Sequence, residues 1–241
     1  MIDPDKSLII FSHPRSGSHW VQECICTAKQ HTFFNLREFF NLTATYEIDY
    51  TLKVVKGKLR TNNVISYSDE RNQRIQLYKQ IQSTYGTVCA KIHVENAIIP
   101  EILNFLLKEK SNTQYILLER KNKMDVFWSH LIAYTTNQWH IKTNYPNIEV
   151  EPKSIEVKKD AVEKVISSLI TFDKNSSILK NNFDITHVYY EDLLTQQNSE
   201  WWNSNNEFNL QNSKDRIVIT NSSQVLEWKK ILYENAYCSD S

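Results

Sequence analysis

The chain has 241 residues, long enough for a sizeable core, and its 28 Lys and Arg balance its 28 Asp and Glu. This zero formal net charge argues against broad nucleic-acid or membrane-surface binding and confines any positive field to a local cleft. No apolar window is long enough to span a bilayer and no charged-then-apolar leader begins the chain, which predicts a soluble, cytoplasmic protein.

Apolar runs alternate with helical patterns along the chain, which is typical of a parallel α/β sheet. The predicted strands are 7–12, 87–92, 114–119 and 184–190, and the predicted helices are 18–30, 69–84, 100–110, 122–139 and 159–181. Ser68 is the predicted N-cap of the second helix, and Asn122 or a neighbour is that of the fourth. Residues 41–66 and 142–158 are predicted as loops over a binding face, and 196–215 as an irregular segment. We therefore expect an α/β fold in which a central parallel sheet is flanked by helices, in one domain covering 1–241.

The first predicted strand is followed by a short turn that carries Arg15 and Gly17. A strand, a tight loop and a helix N-terminus together collect backbone N–H donors around an anion. A nucleotide-triphosphate loop is disfavoured because Ser18 stands where its pattern G-x-x-x-x-G-K-[ST] requires lysine, and a dinucleotide-binding G-x-G-x-x-G is also missing. The alternative is an ordinary turn in which Ser18 caps the helix.

A second candidate site follows the strand 114–119. Arg120 stands at the end of that strand, and Ser129 follows nine residues later in the predicted helix 122–139. Alone, Arg120 would be a solvated strand end. Guanidinium and hydroxyl groups can both donate to phosphate, and the family resemblance described next implies that Arg120 and Ser129 form a second phosphate site.

These two sites resemble those of sulfotransferases that use 3′-phosphoadenosine 5′-phosphosulfate (PAPS). Residues 14–20 read P-R-S-G-S-H-W, which is similar to the family's 5′-phosphosulfate loop, P-[KR]-[ST]-G-[ST]-[TH]-W. The spacing of Arg120 and Ser129 resembles the bacterial and phage branch. Three more fragments agree: residues 88–93 end in K-x-H, residues 187–193 contain Y-E-D-L, and residues 35–41 contain E-F-F.

The resemblance weakens in the C-terminal segment, since residues 221–229 lack the family's glycine-rich R-K-G motif. How the chain closes over the 3′-phosphate therefore stays open. The implied fold is the P-loop-like sulfotransferase fold. The abundance of Asn, Ile and Lys and the branch resemblance favour a phage or bacterial origin, with a host-cytoplasm location if viral.

The resemblance implies PAPS as co-substrate and adenosine 3′,5′-bisphosphate (PAP) as product, with no metal. Arg15 would neutralise charge on the leaving 5′-phosphate, and Arg120 with Ser129 would bind the 3′-phosphate. The other residues implied in cofactor binding belong to the loop, the first helix and the last predicted strand: Ser16, Gly17, Ser18, His19, Trp20 and Tyr190. Trp20 is a candidate to stack on adenine or to pack in the core.

A hydroxyl acceptor needs a general base. His93 matches the K-x-H strand of cytosolic family members, and Glu38 matches the glutamate of the bacterial-type segment. Both stay candidates. The acceptor implied by the bacterial-like spacing is a carbohydrate or glycolipid.

Two competing functions remain from the sequence. A P-loop-like nucleotide kinase is disfavoured by the missing G-K-[ST] pair and the lack of an evident Walker-B carboxylate. A non-catalytic nucleotide-binding protein of the same fold is compatible with the C-terminal departure. The four cysteines, Cys24, Cys26, Cys89 and Cys238, have no metal-binding spacing and are predicted as buried thiols. The oligomeric state stays open.

Overall fold

The computed structural model describes residues 2–28, 33–42, 44–59, 66–136, 153–195 and 217–238. These residues fall into two compact units. The first comprises Met1–Lys121 and Phe172–Asn206, and the second comprises Asn122–Thr171 and Glu207–Ser241. The predicted irregular segment 196–215 lies outside the described residues, and the extent of the domain stays a prediction.

The first unit is built on a seven-stranded sheet. Its strands are β1 (Ser7–Ser12), β2 (Phe34–Arg37), β3 (Ala44–Asp49), β4 (Val54–Leu59), β5 (Val88–His93), β6 (Thr113–Glu119) and β8 (Ile185–Tyr189). They lie in the order β3-β4-β2-β5-β1-β6-β8, and every neighbouring pair is parallel except β3 and β4. In the second unit, β7 (Lys153–Ile155) pairs in parallel with β9 (Ile217–Ile219).

Helices connect the strands. They are α1 (Ser18–Thr27), α2 (Tyr67–Tyr85), α3 (Val94–Ala97), α4 (Pro100–Lys108), α5 (Lys123–Thr136), α6 (Lys159–Asn182), α7 (Tyr190–Thr195) and α8 (Ser222–Cys238), with a 3₁₀ turn at Lys110–Asn112. Pro100 opens α4, where its missing N–H costs nothing. The predicted fold class, a central and mostly parallel sheet flanked by helices, is confirmed.

The core of the first unit lies on both faces of its sheet. Successive residues of a strand point to opposite faces, and β1 is buried along its whole length. Ile9 and Phe11 accordingly pack into one apolar cluster, whereas Leu8 and Ile10 pack into the other. A strand buried on both faces needs an unbroken apolar run, which is why β1 was predictable from the sequence.

The prediction of loops over a binding face at 41–66 is wrong for residues 44–59, where β3 and β4 form an antiparallel hairpin; residues 43 and 60–65 lie outside the described residues. The hairpin lies at the sheet edge. In β3, Tyr46 and Ile48 pack against the core and alternate with Glu47 and Asp49, but six residues are too few for this period to stand out in a polar stretch. Tyr50 and Leu52 at the hairpin tip are exposed. The short strand β2 was also missed. Likewise, β7 occupies part of the predicted loop 142–158; residues 137–152 lie outside the described residues.

Two predicted caps need correction. The N-cap of α2 is Ser66, whose hydroxyl accepts from the Asp69 N–H at 3.3 Å, rather than Ser68. Ser18 is the first residue of α1, and Gly17 occupies its N-cap position without a side-chain bond. The prediction that Asn122 caps α5 agrees with the hydrogen bond from the Met124 N–H to Asn122 Oδ1 at 3.1 Å.

The cysteine prediction holds for two of the thiols. Cys24 and Cys89 are buried, and Cys26 is half-buried; the Cys238 side chain lies outside the described part. No helix within the described ranges is long and apolar enough to cross a bilayer.

Candidate functional site

The carboxyl ends of the parallel strands bring the candidate residues to one edge of the sheet. Ser12 of β1 is in register with His93 of β5, and Glu119 of β6 is in register with Tyr189 of β8. The loop after β1 therefore emerges between the strand end that carries His93 and the one that precedes Arg120. Ligands of open α/β sheets bind outside this edge.

Residues 13–17, here called the anion loop, turn sharply between β1 and α1. Arg15 has φ of 68° and Gly17 has φ of 85°. A positive φ at a non-glycine residue is uncommon and concentrates at functional sites. The Ser16 N–H donates to the His13 carbonyl oxygen at 3.3 Å, so this loop amide is already used inside the turn.

Gly17 is required by a close neighbour as well as by its backbone angle. A Cβ atom at this position would stand 2.4 Å from a ring carbon of Tyr190. The Tyr190 ring is 1% exposed and also meets the Trp20 ring edge-on at 5.5 Å between centroids. Tyr190 therefore serves as a buried platform beneath the anion loop. Its assignment, and that of Trp20, to the adenine site stays a prediction.

Arg120 packs on the same platform. Its guanidinium carbon lies 3.8 Å from the Tyr190 ring centroid, and its Nε donates to the Ser16 carbonyl oxygen at 3.3 Å. Glu191 Oε1 stands 3.7 Å from Arg120 Nη1. These contacts attach the second predicted cation directly to the anion loop.

Arg15 and Arg120 act on each other electrostatically. Burial lowers the pKa of Arg15, and the positive charge of Arg120 lowers it further. A buried guanidinium group whose charge is disfavoured by burial and by a second cation forms a site that a polyanion would stabilise.

Two buried hydroxyl groups near the anion loop also fit a site for an anion. Within the described part of the chain, Ser12 Oγ and Ser16 Oγ are buried and have no hydrogen-bond partner. A buried hydroxyl without a partner costs free energy, and an oxyanion would supply the missing acceptor. The residues present therefore fit a phosphate or sulfate group.

His13 opens the anion loop as a neutral residue. Its Nδ1–H donates to the Pro14 carbonyl oxygen at 2.6 Å, and its ring packs edge-on against Phe172. Burial lowers its pKa to about 4, against the opposing effects of the Pro14 bond and Asp173. His13 thus shapes the loop and carries no charge at neutral pH.

A second group, the Glu38 cluster, consists of Glu38, Lys91 and His93. Glu38 follows β2 directly, while Lys91 and His93 lie on β5 with their side chains on the same face, because they are two residues apart. Glu38 Oε1 pairs with Lys91 Nζ and stands 3.6 Å from His93 Nε2. On the other side of the ring, His93 Nδ1 is 3.8 Å from Glu95 Oε1.

The charge state of Glu38 is set by these neighbours. Burial alone would raise the pKa of Glu38, but the charges of Lys91 and His93 and hydrogen bonds from Lys91 and Asn41 lower it to about 2. A carboxylate this acidic is a weak base. Glu38 is therefore ionised between Lys91 and His93, and the choice between Glu38 and His93 as general base stays a prediction.

The remaining predicted site residues are divided between the two units. Ser18 is buried, and His19 is exposed and electrostatically linked to Lys91 and Glu38. Trp20 is half-buried against the core. Ser129 lies on α5 in the second unit, whereas Arg120 belongs to the first, and the part of Ser129 in a 3′-phosphate site stays a prediction.

Sequence reasoning missed two residues behind the Glu38 cluster, Arg74 and Tyr46. Arg74 is 6% exposed although α2 is a strongly polar helix. A signal was present, because Arg74 stands four residues before the buried Tyr78 and so lies on the apolar stripe of the helix.

No group of three or more His, Cys, Asp or Glu side chains that could hold a metal ion occurs in the described ranges. No protein-family model and no curated protein matches the sequence. Among solved structures, the chain is similar to a sulfotransferase domain from the curacin biosynthetic pathway, with 16% identity and a TM-score of 0.41 over 81% of this chain and 70% of that one. A likeness at this identity and TM-score does not indicate a function.

Proposed function

We propose that the protein is a PAPS-dependent sulfotransferase that moves a sulfuryl group to an acceptor hydroxyl, with a carbohydrate or glycolipid as the acceptor class. One observation carries the proposal. Arg15 and Arg120 converge on a loop whose Ser16 hydroxyl is buried without a partner in the described residues. The P-R-S-G-S-H-W sequence of this loop supplies the specific link to PAPS.

The chemical step needs positioning and charge stabilisation more than covalent help from the protein. The acceptor oxygen attacks sulfur while the bond from sulfur to the 5′-phosphate oxygen breaks. The acceptor proton passes to His93, and PAP leaves with the negative charge that the broken bond deposits on its 5′-phosphate. No oxidant or reductant is needed.

The anion loop would stabilise that developing charge. Arg15 supplies a cation, and the amides at the start of α1, which have no partners within the helix, face an anion favourably. The Ser16 and Ser12 hydroxyls can donate to phosphate or sulfate oxygens. Arg120 is assigned to the 3′-phosphate, the group that separates PAPS from ATP.

The Glu38 cluster would handle the proton. Once His93 accepts it, the imidazolium lies between the carboxylates of Glu38 and Glu95, at 3.6 and 3.8 Å. Opposite charges at this range favour the protonated ring. Lys91 keeps Glu38 ionised, so the carboxylate is ready to stabilise the cation.

Ligand-dependent unfolding tests the cofactor assignment. We expect PAP to raise the melting temperature and ATP with magnesium to leave it nearly unchanged, because only PAP carries a 3′-phosphate for Arg120. The reverse pattern would support a nucleotide kinase. Binding of PAP without sulfate transfer to any of a broad panel of acceptors would support the non-catalytic alternative.

Transfer of labelled sulfate from PAPS to a glycan panel tests the base. We expect His93→Ala to lower kcat by about 10²–10⁴-fold, the usual contribution of a general base. Glu38→Gln should lower it less, since Glu38 acts through His93. His187→Ala is the matched control, because His187 pairs with Glu119 outside the Glu38 cluster. Near-wild-type turnover in both site variants would refute the assignment.

A further inference from the structure

The backbone turn that carries Glu38 is held by a buried arginine from α2. Arg74 Nη1 donates to the carbonyl oxygens of Phe39 and Asn41, at 2.5 and 2.9 Å. Its Nε and Nη2 donate to Glu70 Oε1 one helical turn away, the first at 3.1 Å. Burial of a charged pair is costly unless its hydrogen bonds are satisfied, and here each guanidinium nitrogen has an acceptor.

Tyr46, on the β3–β4 hairpin, holds the same turn from another direction. Its hydroxyl lies within hydrogen-bonding distance of the Glu38 carbonyl oxygen and of the Asn41 carbonyl oxygen, the latter at 3.1 Å. The Arg74 guanidinium lies over the Tyr46 ring, 4.7 Å from its centroid. The arginine and the tyrosine therefore support each other as well as the turn.

Asn41 links the turn to the Glu38 side chain. The Asn41 N–H donates to the Glu38 carbonyl oxygen at 2.8 Å, and Asn41 Nδ2 donates to Glu38 Oε2 at 3.2 Å. The other carboxylate oxygen, Oε1, faces Lys91 and His93. The direction of the carboxylate thus depends on where the turn places Asn41.

We propose that Arg74 and Tyr46 are positioning residues, which fix the turn at residues 38–41 so that Glu38 presents one oxygen to Lys91 and His93. They act on the reaction only through Glu38 and His93, and the inference rests on the proposed function of that pair. The β3–β4 hairpin and α2 thereby form the support of the Glu38 cluster.

The test compares Tyr46→Phe and Arg74→Lys with matched controls. Tyr46→Phe removes one hydroxyl, and Arg74→Lys keeps the charge but loses the fork that reaches two carbonyl oxygens. The controls are Tyr50→Phe, at the exposed tip of the same hairpin, and Arg71→Lys, on the same helix as Arg74. Arg71 pairs with Glu101 of α4 at 3.2 Å.

The first readout is the pKa of the Glu38 carboxyl, followed by NMR of its side-chain carbon in the full-length protein. The groups around it are Lys91, His93 and Asn41, with Tyr46, Glu95 and His19 nearby. In both site variants we expect the pKa to rise by about one unit, because looser geometry weakens the pairing with Lys91. The controls should match the wild type.

The second readout is steady-state kinetics. We expect kcat to fall about tenfold in Tyr46→Phe while KM for PAPS stays within about twofold, since the anion loop is untouched. A general loss of stability would not separate the two constants in this way.

A Glu38 pKa in Tyr46→Phe equal to that of Tyr50→Phe would overturn the inference. If Arg74→Lys fails to fold, Tyr46→Phe decides alone. The pKa comparison needs no substrate, so failure of the proposed function would be seen separately, as absence of sulfate transfer by the wild type.

Discussion

The anion loop and the Glu38 cluster lie at the same edge of one sheet, yet they handle charge in opposite ways. In the anion loop, burial and the charge of Arg120 lower the pKa of Arg15, and nearby serine hydroxyls are buried without partners in the described residues. In the Glu38 cluster, a carboxylate is matched by a lysine and a histidine, and the turn beneath it is hydrogen-bonded.

Under the proposed function, this difference separates a region that binds a ligand from one that accepts a proton. The Ser12 and Ser16 hydroxyls at the anion loop would gain hydrogen-bond acceptors when an anion binds. The free energy of unfolding should therefore rise with ligand concentration. In the Glu38 cluster the carboxylate is already paired with Lys91 and His93. The contribution of this cluster to the free energy of unfolding should therefore depend on pH. Three predictions follow this distinction, from the largest expected effect to the smallest.

Gly17→Ala should cost about 4 kcal/mol of the free energy of unfolding, from left-handed backbone strain and overpacking against Tyr190. Denaturant unfolding measures this. In a Tyr190→Ala background the same substitution should cost only about 1 kcal/mol, because the ring is gone.

PAP binding should also be lost in Gly17→Ala but kept in Gly86→Ala, where nothing lies within 4 Å of the added Cβ. An additive double-variant cycle would contradict the close approach.

Acid should destabilise the protein in two separate windows. The pKa of His13 is about 4 in the fold against 6.5 for the ordinary group, so the unfolded chain takes up the proton first. The stabilising effect of neutral His13 is complete above pH 6.5 and lost as the pH falls towards 4, about 3 kcal/mol in all. Glu38, with a pKa of about 2 against 4.5, is stabilising above pH 4.5 and loses this effect as the pH falls towards 2.

Unfolding free energies from pH 7 to 2 check these windows. His13→Asn, which keeps a donor for the Pro14 carbonyl oxygen, should flatten the upper window only. Glu38→Gln should flatten the lower window only. If wild type and His13→Asn show the same slope between pH 6.5 and 4.5, the neutral state of His13 is wrong.

Arg15→Gln should weaken PAP binding about 30-fold, equivalent to about 2 kcal/mol, through loss of a charged hydrogen bond. Without ligand, the variant should be as stable as the wild type or slightly more so, because the repulsion with Arg120 is removed. Calorimetric titration and thermal unfolding measure the two effects. Lys121→Gln, which loses the exposed pair with Asp192 and the contact with the Tyr189 ring, is the control. An unchanged PAP affinity in Arg15→Gln would remove Arg15 from the phosphate site.

The sequence predicted the parts of the fold that have strong local signals. The predicted strand 7–12 matches β1, and the predicted helix 159–181 matches α6 (Lys159–Asn182) closely. Both are long or uniformly buried, so periodicity and composition agree. The anion loop was also accessible, because Arg15, Gly17 and the change from strand to helix are adjacent in the chain.

The support of the Glu38 cluster was not accessible in the same way. Strand β2 has four residues, too few to show a period, and the β3–β4 hairpin is held by pairing to the rest of the sheet. Arg74 meets Phe39 across 35 positions of the chain. Such contacts depend on tertiary packing, which overrides local preference. The sequence could indicate Glu38 through family resemblance, but not what holds it in place.

Ser12 and His93 are register partners on the neighbouring strands β1 and β5. The backbone pairing of these strands therefore sets the distance between the anion loop and the Glu38 cluster. Because side chains alternate along a strand, inserting or deleting one residue within β5 would turn His93 to the opposite face of the sheet. The exposed hairpin tip at residues 50–53 has no such constraint. We therefore expect natural or engineered length variation to accumulate at the hairpin tip and to be absent from the interior of β5.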